Sequence, residues 1–208
     1  MDAVFFDLDG TLTDPKPGIT RSIRHALERL GRTAPSEDEL TWCIGPPLRS
    51  SLTTLVGEAD ADRALAFYRE RFADIGLYEN SLYPGIVPLL AGLRSRRLFV
   101  ATSKPTIYAE RILAHLGLNG YFEGVFGAEL DGARAEKSQL LAYALRETGA
   151  NPSRTVMVGD REHDMIGAVS NGMTGCGVLY GYGSAEELRA AGAHYLFVTP
   201  EDLRAGLN

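Results

Sequence analysis

Short runs that are apolar on both faces, separated by helical patterns, constrain the fold of this 208-residue chain more than any other feature. They fall at residues 3–6, 98–101, 155–158, 176–179 and 195–198, each bounded by polar residues or glycine. A strand wetted on one side alternates apolar with polar residues, whereas a strand covered on both sides does not. The runs therefore predict the buried strands of a parallel sheet. Between them, residues 105–116, 137–148, 162–171 and 184–191 carry apolar residues at helical spacing, and Pro105 suits a first helical position. Strand alternating with helix predicts an α/β fold: a doubly wound, Rossmann-like parallel sheet.

Residues 15–82 break that alternation. They read as helix alone, with apolar periodicity at 18–31 and 60–75 and a capping box, Ser36-Glu37-Asp38-Glu39, ahead of Leu40. The stretch follows the first strand directly and closes on the turn Tyr83-Pro84-Gly85. This predicts a core domain of residues 1–14 and 83–208 with an inserted four-helix cap domain at 15–82.

Charge and cysteine usage exclude several classes. Acidic residues outnumber basic ones by 27 to 21, which disfavours nucleic acid or an anionic membrane as the main partner. Cys43 and Cys176 lie far apart, so neither a disulfide scaffold nor a clustered zinc site is expected. The N-terminus lacks a basic n-region, and no apolar run reaches 18 residues; a cytoplasmic protein is expected. The basic residues divide into 18 Arg and only three Lys, namely Lys16, Lys104 and Lys137, which draws attention to where those three remain.

Ligands of open α/β sheets bind beyond the carboxyl ends of the strands. There the first strand ends in Asp7-Leu8-Asp9-Gly10-Thr11, the 98–101 strand in Thr102-Ser103-Lys104-Pro105, and the 155–158 strand in Gly159-Asp160-Arg161-Glu162-His163-Asp164. Lys137 opens the intervening helix. Carboxylates gathered at one edge repel unless a counter-charge is supplied. A few hard oxygen ligands suit Mg2+, which accepts phosphate oxygens as further ligands. A carboxylate nucleophile with a cation and a lysine is the equipment for aspartyl-phosphate chemistry.

These motifs resemble those of the haloacid dehalogenase-like hydrolase superfamily: a DxDGT box at Asp7 to Thr11, a strand-end hydroxyl at Thr102, a lysine at Lys137 and a GDxxxD box at Gly159 to Asp164. The insertion after the first box is also similar to a cap of that superfamily. The resemblance implies that Asp7 attacks phosphorus and that Asp9 protonates the leaving alcohol, then deprotonates water. It implies that Asp7, Asp160 and the backbone carbonyl of Asp9 hold Mg2+, with Asp164 in support, and that Thr102, Ser103 and Lys137 bind the phosphoryl group. Lys104 either approaches substrate or only forms the turn before Pro105. Arg49, after Gly45-Pro46-Pro47, is the best substrate anchor in the insertion, since a guanidinium suits phosphate or carboxylate.

Asp9 speaks against a dehalogenase, and Lys16 is too close to the start of the insertion for a Schiff-base phosphonate hydrolase. A sugar-phosphate mutase shares the boxes. A non-enzymatic phospho-aspartate signalling domain lacks both the insertion and the second acid. Residues 158–168 and 177–184 resemble bacterial 5'-nucleotidases close to phosphoglycolate phosphatases. The expected function is therefore Mg2+-dependent hydrolysis of nucleoside 5'-monophosphates, with 2-phosphoglycolate as the alternative. The expected partner is a small phosphorylated metabolite, and the expected state a monomer or homodimer. Tyr180, Tyr182 and Trp42 are candidates to stack a base, or are core.

Overall fold

The computed structural model describes residues 1–207, and the chain forms two compact units: Met1–Asp14 with Leu82 onward, and Pro15–Ser81. The first unit is built on a six-stranded sheet. In chain order its strands are β1 (Ala3–Phe6), β4 (Arg97–Pro105), β5 (Gly124–Ala128), β6 (Thr155–Gly159), β7 (Thr174–Val178) and β8 (Tyr195–Phe197). Two-residue strands, β2 (Thr13–Asp14) and β3 (Ser81–Leu82), lie where the chain leaves and re-enters this unit.

The spatial order is β5-β4-β1-β6-β7-β8, and the sheet pairings are parallel. β1 is therefore central. From it the chain builds outward through β4 and β5, then returns to β6 on the other side. The crevice where the order reverses is where open α/β sheets bind their ligands, and it lies beyond β1, β4 and β6. Val4, Phe5 and Phe6 are fully buried, in keeping with a strand covered on both faces. Phe5 stacks on Phe99 with ring centroids 4.8 Å apart, and both join Met157, Leu140, Leu141 and Ala144 in one core cluster. Full burial of one such side chain is worth about 1.5–3 kcal/mol.

Six α-helices belong to this unit among the described residues: α4 (Ile86–Gly92), α5 (Thr106–His115), α6 (Lys137–Thr148), α7 (Glu162–Ser170), α8 (Ala185–Ala190) and α9 (Pro200–Leu207), with 3-10 turns at Asn119–Tyr121 and Pro152–Arg154. α6 shows why its bounds fall where they do. The Glu136 carboxylate accepts from the amides of Ser138 and Gln139, and Gly149 closes the helix in the left-handed region at φ 65°.

The second unit contains α1 (Lys16–Arg29), α2 (Leu48–Val56) and α3 (Glu58–Asp74), with 3-10 turns at Thr41–Cys43 and Gly76–Tyr78. Ile19, Ile23, Ala26, Leu52, Ala61, Ala64 and Phe72 make its interior. Gly18 is required here, because a Cβ would stand 2.0 Å from the carbonyl oxygen of Gly76.

The structure corrects the expectation of four helices in the insertion: among the described residues there are three α-helices. The capping box does close, with the Ser36 amide and hydroxyl donating to Glu39 Oε2 at 2.9 and 2.7 Å. Only a 3-10 turn follows, because Thr41, Trp42 and Cys43 are indifferent helix formers and Pro46 and Pro47 supply no amide donors. Pro105 also differs from expectation. It ends β4 and caps α5 from outside the helix, at ψ 133°. The sequence pattern does not signal β5, α4 or α9. No helix among the described residues is long and apolar enough to cross a membrane.

Candidate active site

The end of β1 leads into a tight turn. The amides of Leu12 and Thr13 both donate to the carbonyl of Leu8 at 3.0 Å, and the Gly10 amide donates to the carbonyl of Thr13 at 2.8 Å. Gly10 takes φ +85°, and a Cβ there would lie 2.2 Å from Asp160 Oδ2. Only glycine satisfies both the dihedral and the approach. The turn leaves Asp7 and Asp9 buried beside the end of β6.

Three elements then converge on Asp7. Lys137, the first residue of α6, donates from Nζ to Asp7 Oδ1 at 2.8 Å and to the carbonyl of Ala101 in β4 at 2.9 Å. The same Nζ lies 2.8 Å from Asp164 Oδ1, a second buried ion pair. A helix N-terminus disfavours a cation, so the position of Lys137 is bought by these acidic and carbonyl partners. Asp164 in turn accepts from the Arg161 amide through Oδ2 at 3.1 Å, which fixes the first turn of α7. Asp160 accepts from Thr11 Oγ1 at 3.2 Å and from the Tyr182 amide at 2.8 Å.

Asp7, Asp160 and Asp164 each offer a carboxylate oxygen, and these atoms lie within 4.8 Å of one another. Three buried carboxylates against the single ammonium of Lys137 leave two negative charges formally uncompensated. The electrostatics follow from that excess. Desolvation, then the charges of Asp164 and Asp7, push the Asp160 carboxyl well above its ordinary value. Desolvation raises Asp164 as well, with Lys137 pulling it back. Burial works against the Lys137 ammonium, but Asp164 and Asp7 outweigh it and hold its pKa above the ordinary value. The ammonium is satisfied while the carboxylates are in excess. An all-oxygen donor set with two surplus negative charges fits a hard divalent cation, and Mg2+ in particular.

Thr102 is buried at the end of β4, and its Oγ1 accepts from the Lys104 amide at 3.2 Å. Lys104 Nζ lies 2.7 Å from Asp9 Oδ2. Burial raises the Asp9 carboxyl, and Lys104 opposes that shift. Ser103 sits between them in β4, partly buried. Arg49 belongs to the helical unit, where Glu58 and Asp62 hold its guanidinium at 2.7 and 2.9 Å; an anion could be received only by displacing them.

Several contributors to the site carry no motif of their own. The Tyr182 amide and the Thr11 hydroxyl orient Asp160, and Gly181 and Gly183 let that loop close on it. A Cβ on Gly183 would stand 2.0 Å from the Asp160 carbonyl oxygen, and one on Gly181 would stand 2.4 Å from Asp160 Cβ. The Gly-Tyr-Gly spacing is the signal that could have found them. The tyrosines considered for stacking are engaged internally: Tyr180 packs edge-on to Tyr83 with centroids 5.1 Å apart, and the Tyr182 hydroxyl donates to Asp14. Trp42 is 42% exposed in the helical unit.

Comparison with known proteins places these features in context. Residues 4–178 match the model of a family described as haloacid dehalogenase-like hydrolase. A 5'-nucleotidase of Pseudomonas aeruginosa is 47% identical over 191 residues, covering 90% of this chain and 86% of that protein. The tyrosine-protein kinase PtkA of Mycobacterium tuberculosis is 45% identical over 185 residues; the match covers 88% of this chain but only 64% of that protein. Among solved structures, that of a predicted phosphatase from Clostridium acetobutylicum superposes with a TM-score of 0.96 at 38% identity, covering 99% of this chain and 97% of that one.

Proposed function

The chain belongs to the haloacid dehalogenase-like hydrolase family, and from that premise we propose that it is a Mg2+-dependent phosphomonoesterase that hydrolyses nucleoside 5'-monophosphates through an aspartyl-phosphate on Asp7. The observation that carries the chemistry is the Lys137 contact to Asp7 at 2.8 Å within a cluster of three buried carboxylates. The relative named 5'-nucleotidase, 47% identical, supports the substrate class.

In this mechanism Lys137 holds Asp7 Oδ1 and leaves the other carboxylate oxygen to attack phosphorus. The new Asp7–phosphorus bond forms as the bond to the leaving oxygen breaks, and Asp9 delivers a proton to that oxygen. Water then attacks phosphorus and gives its proton to Asp9, and the bond to Asp7 breaks to release phosphate. Thr102 and the backbone around Ser103 receive the phosphoryl oxygens. Asp7, Asp160 and Asp164, with the backbone carbonyl of Asp9, would hold Mg2+, which when bound supplies positive charge to the phosphoryl oxygens.

The test is a phosphate-release screen with Mg2+ and an EDTA control, over nucleoside 5'-monophosphates, 2-phosphoglycolate and p-nitrophenyl phosphate. Release from nucleotides above all others is expected. Preference for 2-phosphoglycolate would replace the substrate and keep the chemistry, whereas Mg2+-independent release, or none from any ester, would overturn it. An arm with ATP and a tyrosine peptide separates transfer to water from transfer to a phenol.

A further inference from the structure

We propose that Lys104 is a positioning residue for Asp9: it holds Asp9 Oδ2 and leaves Oδ1 as the oxygen that exchanges protons with the leaving group and with water. The inference rests on the role given to Asp9 above and extends it to a second residue and to one named atom. Lys104 Nζ stands 2.7 Å from Asp9 Oδ2, and the two side chains are only 6% and 10% exposed. Asp9 Oδ1 is buried and has no hydrogen-bond partner within the protein. One oxygen is held by the ammonium, and the other has no donor within the protein.

The backbone is shaped to deliver Lys104 to this position. β4 pairs with β5 regularly as far as Thr102 and Gly127, then shifts register so that Pro105 faces Ala128. The extra residues are Ser103 and Lys104, and such a bulge re-aims a side chain beside a site. Gly127 makes room for it, since a Cβ there would lie 2.6 Å from the Lys104 carbonyl oxygen. The Lys104 amide is tied to Thr102 Oγ1 at 3.2 Å, and Pro105 fixes the following φ at −54°.

The physical gain is orientation. An unrestrained carboxylate turns about its terminal torsion, which is broad, and presents either oxygen. Holding one oxygen commits the other, and misplacement of a reacting group by about 1 Å costs on the order of 100-fold in rate. An ammonium committed to a buried carboxylate at 2.7 Å is also a poorer receptor for a substrate anion than one facing an open site. Lys104 thus acts on the reaction through Asp9.

The experiment measures kcat/KM, which reports the steps up to departure of the leaving group, for wild type, Lys104→Met, Asp9→Asn and the double variant. Two substrates are compared with Mg2+: a nucleoside 5'-monophosphate, whose alkoxide must be protonated as it leaves, and p-nitrophenyl phosphate, whose phenolate need not be. Lys104→Met is expected to lose about 100-fold on the nucleotide and far less on the nitrophenyl ester, and to add little in the Asp9→Asn background. Equal losses on both substrates that multiply with those of Asp9→Asn would make Lys104 a substrate ligand and overturn the proposal. A substrate-selective loss in Asp9→Asn that Lys104→Met does not share overturns the proposal alone. Loss of both substrates alike in Asp9→Asn removes the acid assignment, and the proposal with it. Lys104→Arg keeps the charge. Should the Met variant not fold, the losses of Lys104→Arg on the two substrates decide the question: selective for the nucleotide in support, uniform in refutation.

Discussion

Replacing Lys137 by methionine keeps the bulk of the side chain and removes the single ammonium among three buried carboxylates. At an effective dielectric of about 20, two unit charges 2.8 Å apart attract by roughly 6 kcal/mol, and Lys137 has two such partners, Asp7 and Asp164. Desolvation of the charges offsets most of that. What remains is the measured cost of leaving a buried charge without its partner, about 3–5 kcal/mol. At roughly 2–4 °C per kcal/mol for a domain of 150–250 residues, Tm should fall by about 6–20 °C. The sign of the pH dependence is also set. The Lys137 ammonium has a raised pKa, so it stays charged through neutral pH and loses its charge only in strong alkali, and its contribution grows with the ionisation of its carboxylate partners. The Asp160 and Asp164 carboxyls are raised too. Between the unfolded carboxylate pKa of about 3.9 and those raised values the folded state holds more protons, so its stability declines as pH rises through that window. Without Lys137 the window widens, and the deficit of the variant should be larger at pH 7.5 than at pH 5. Urea or thermal melts followed by circular dichroism in EDTA, at both pH values, measure it. Mg2+ at about 100 times its Kd should then stabilise by about 2.7 kcal/mol and restore part of the loss. A variant that melts with wild type in EDTA at pH 7.5, or loses more at pH 5, would refute the charge count.

Other substitutions probe separate parts of the argument. Gly10→Ala should abolish Mg2+-dependent phosphate release and destabilise by more than about 1 kcal/mol, since φ is +85° and the new Cβ would meet Asp160 Oδ2 at 2.2 Å; near-normal turnover would show that the turn is not limiting. Burial raises the thiols of Cys43 to about 11 and Cys176 to about 12, so both should resist a disulfide reagent at pH 8 in the native protein and react after denaturation; rapid native reaction would contradict their burial. Leu140→Ala, in the core cluster beneath β1 and β4, should cost about 2–5 kcal/mol in a denaturant melt while leaving KM unchanged.

Legibility in the sequence followed the range of the interactions concerned. Residues 3–6 and 137–148 could be delimited because local signals close both ends: a two-faced apolar run stopped by Asp7, and a helix bounded by Glu136 and Gly149. β5 is hard to see in the sequence since Gly124 and Gly127 dilute its apolar pattern, and Gly127 is there for close approach to Lys104. The Ser36 capping box misled because it satisfies the start of a helix that Pro46 and Pro47 prevent from continuing. At the site, parallel strands carry their terminal residues to one edge, so Asp7, Thr102 and Asp160 share that edge by topology alone. The partners of those residues are another matter. Tyr182 reaching Asp160, and Lys104 reaching Asp9, depend on a loop closure and a bulge that leave no periodic trace.

The scarcity of lysine gains a physical reading from the contacts its remaining members make. Lys16 pairs with Asp38 near the surface, its partner 85% exposed. Lys104 and Lys137 are the two buried cations of the site, each set against a carboxylate. A guanidinium is a wide, planar fork suited to bidentate pairing at a surface, as Arg71 shows with both oxygens of Glu79. Lys137 has a different task. Its Nζ stands within 2.9 Å of Asp7, Asp164 and the Ala101 carbonyl, three acceptors supplied by three separate elements. A compact ammonium with three rotatable donors meets such a geometry, and a planar group meets it only by displacing an acceptor. Gly167 bears on the same point, for a Cβ there would come within 2.9 Å of Lys137 Cγ. The aliphatic stem is packed as closely as the charge is paired, so the choice of lysine is fixed along its whole length.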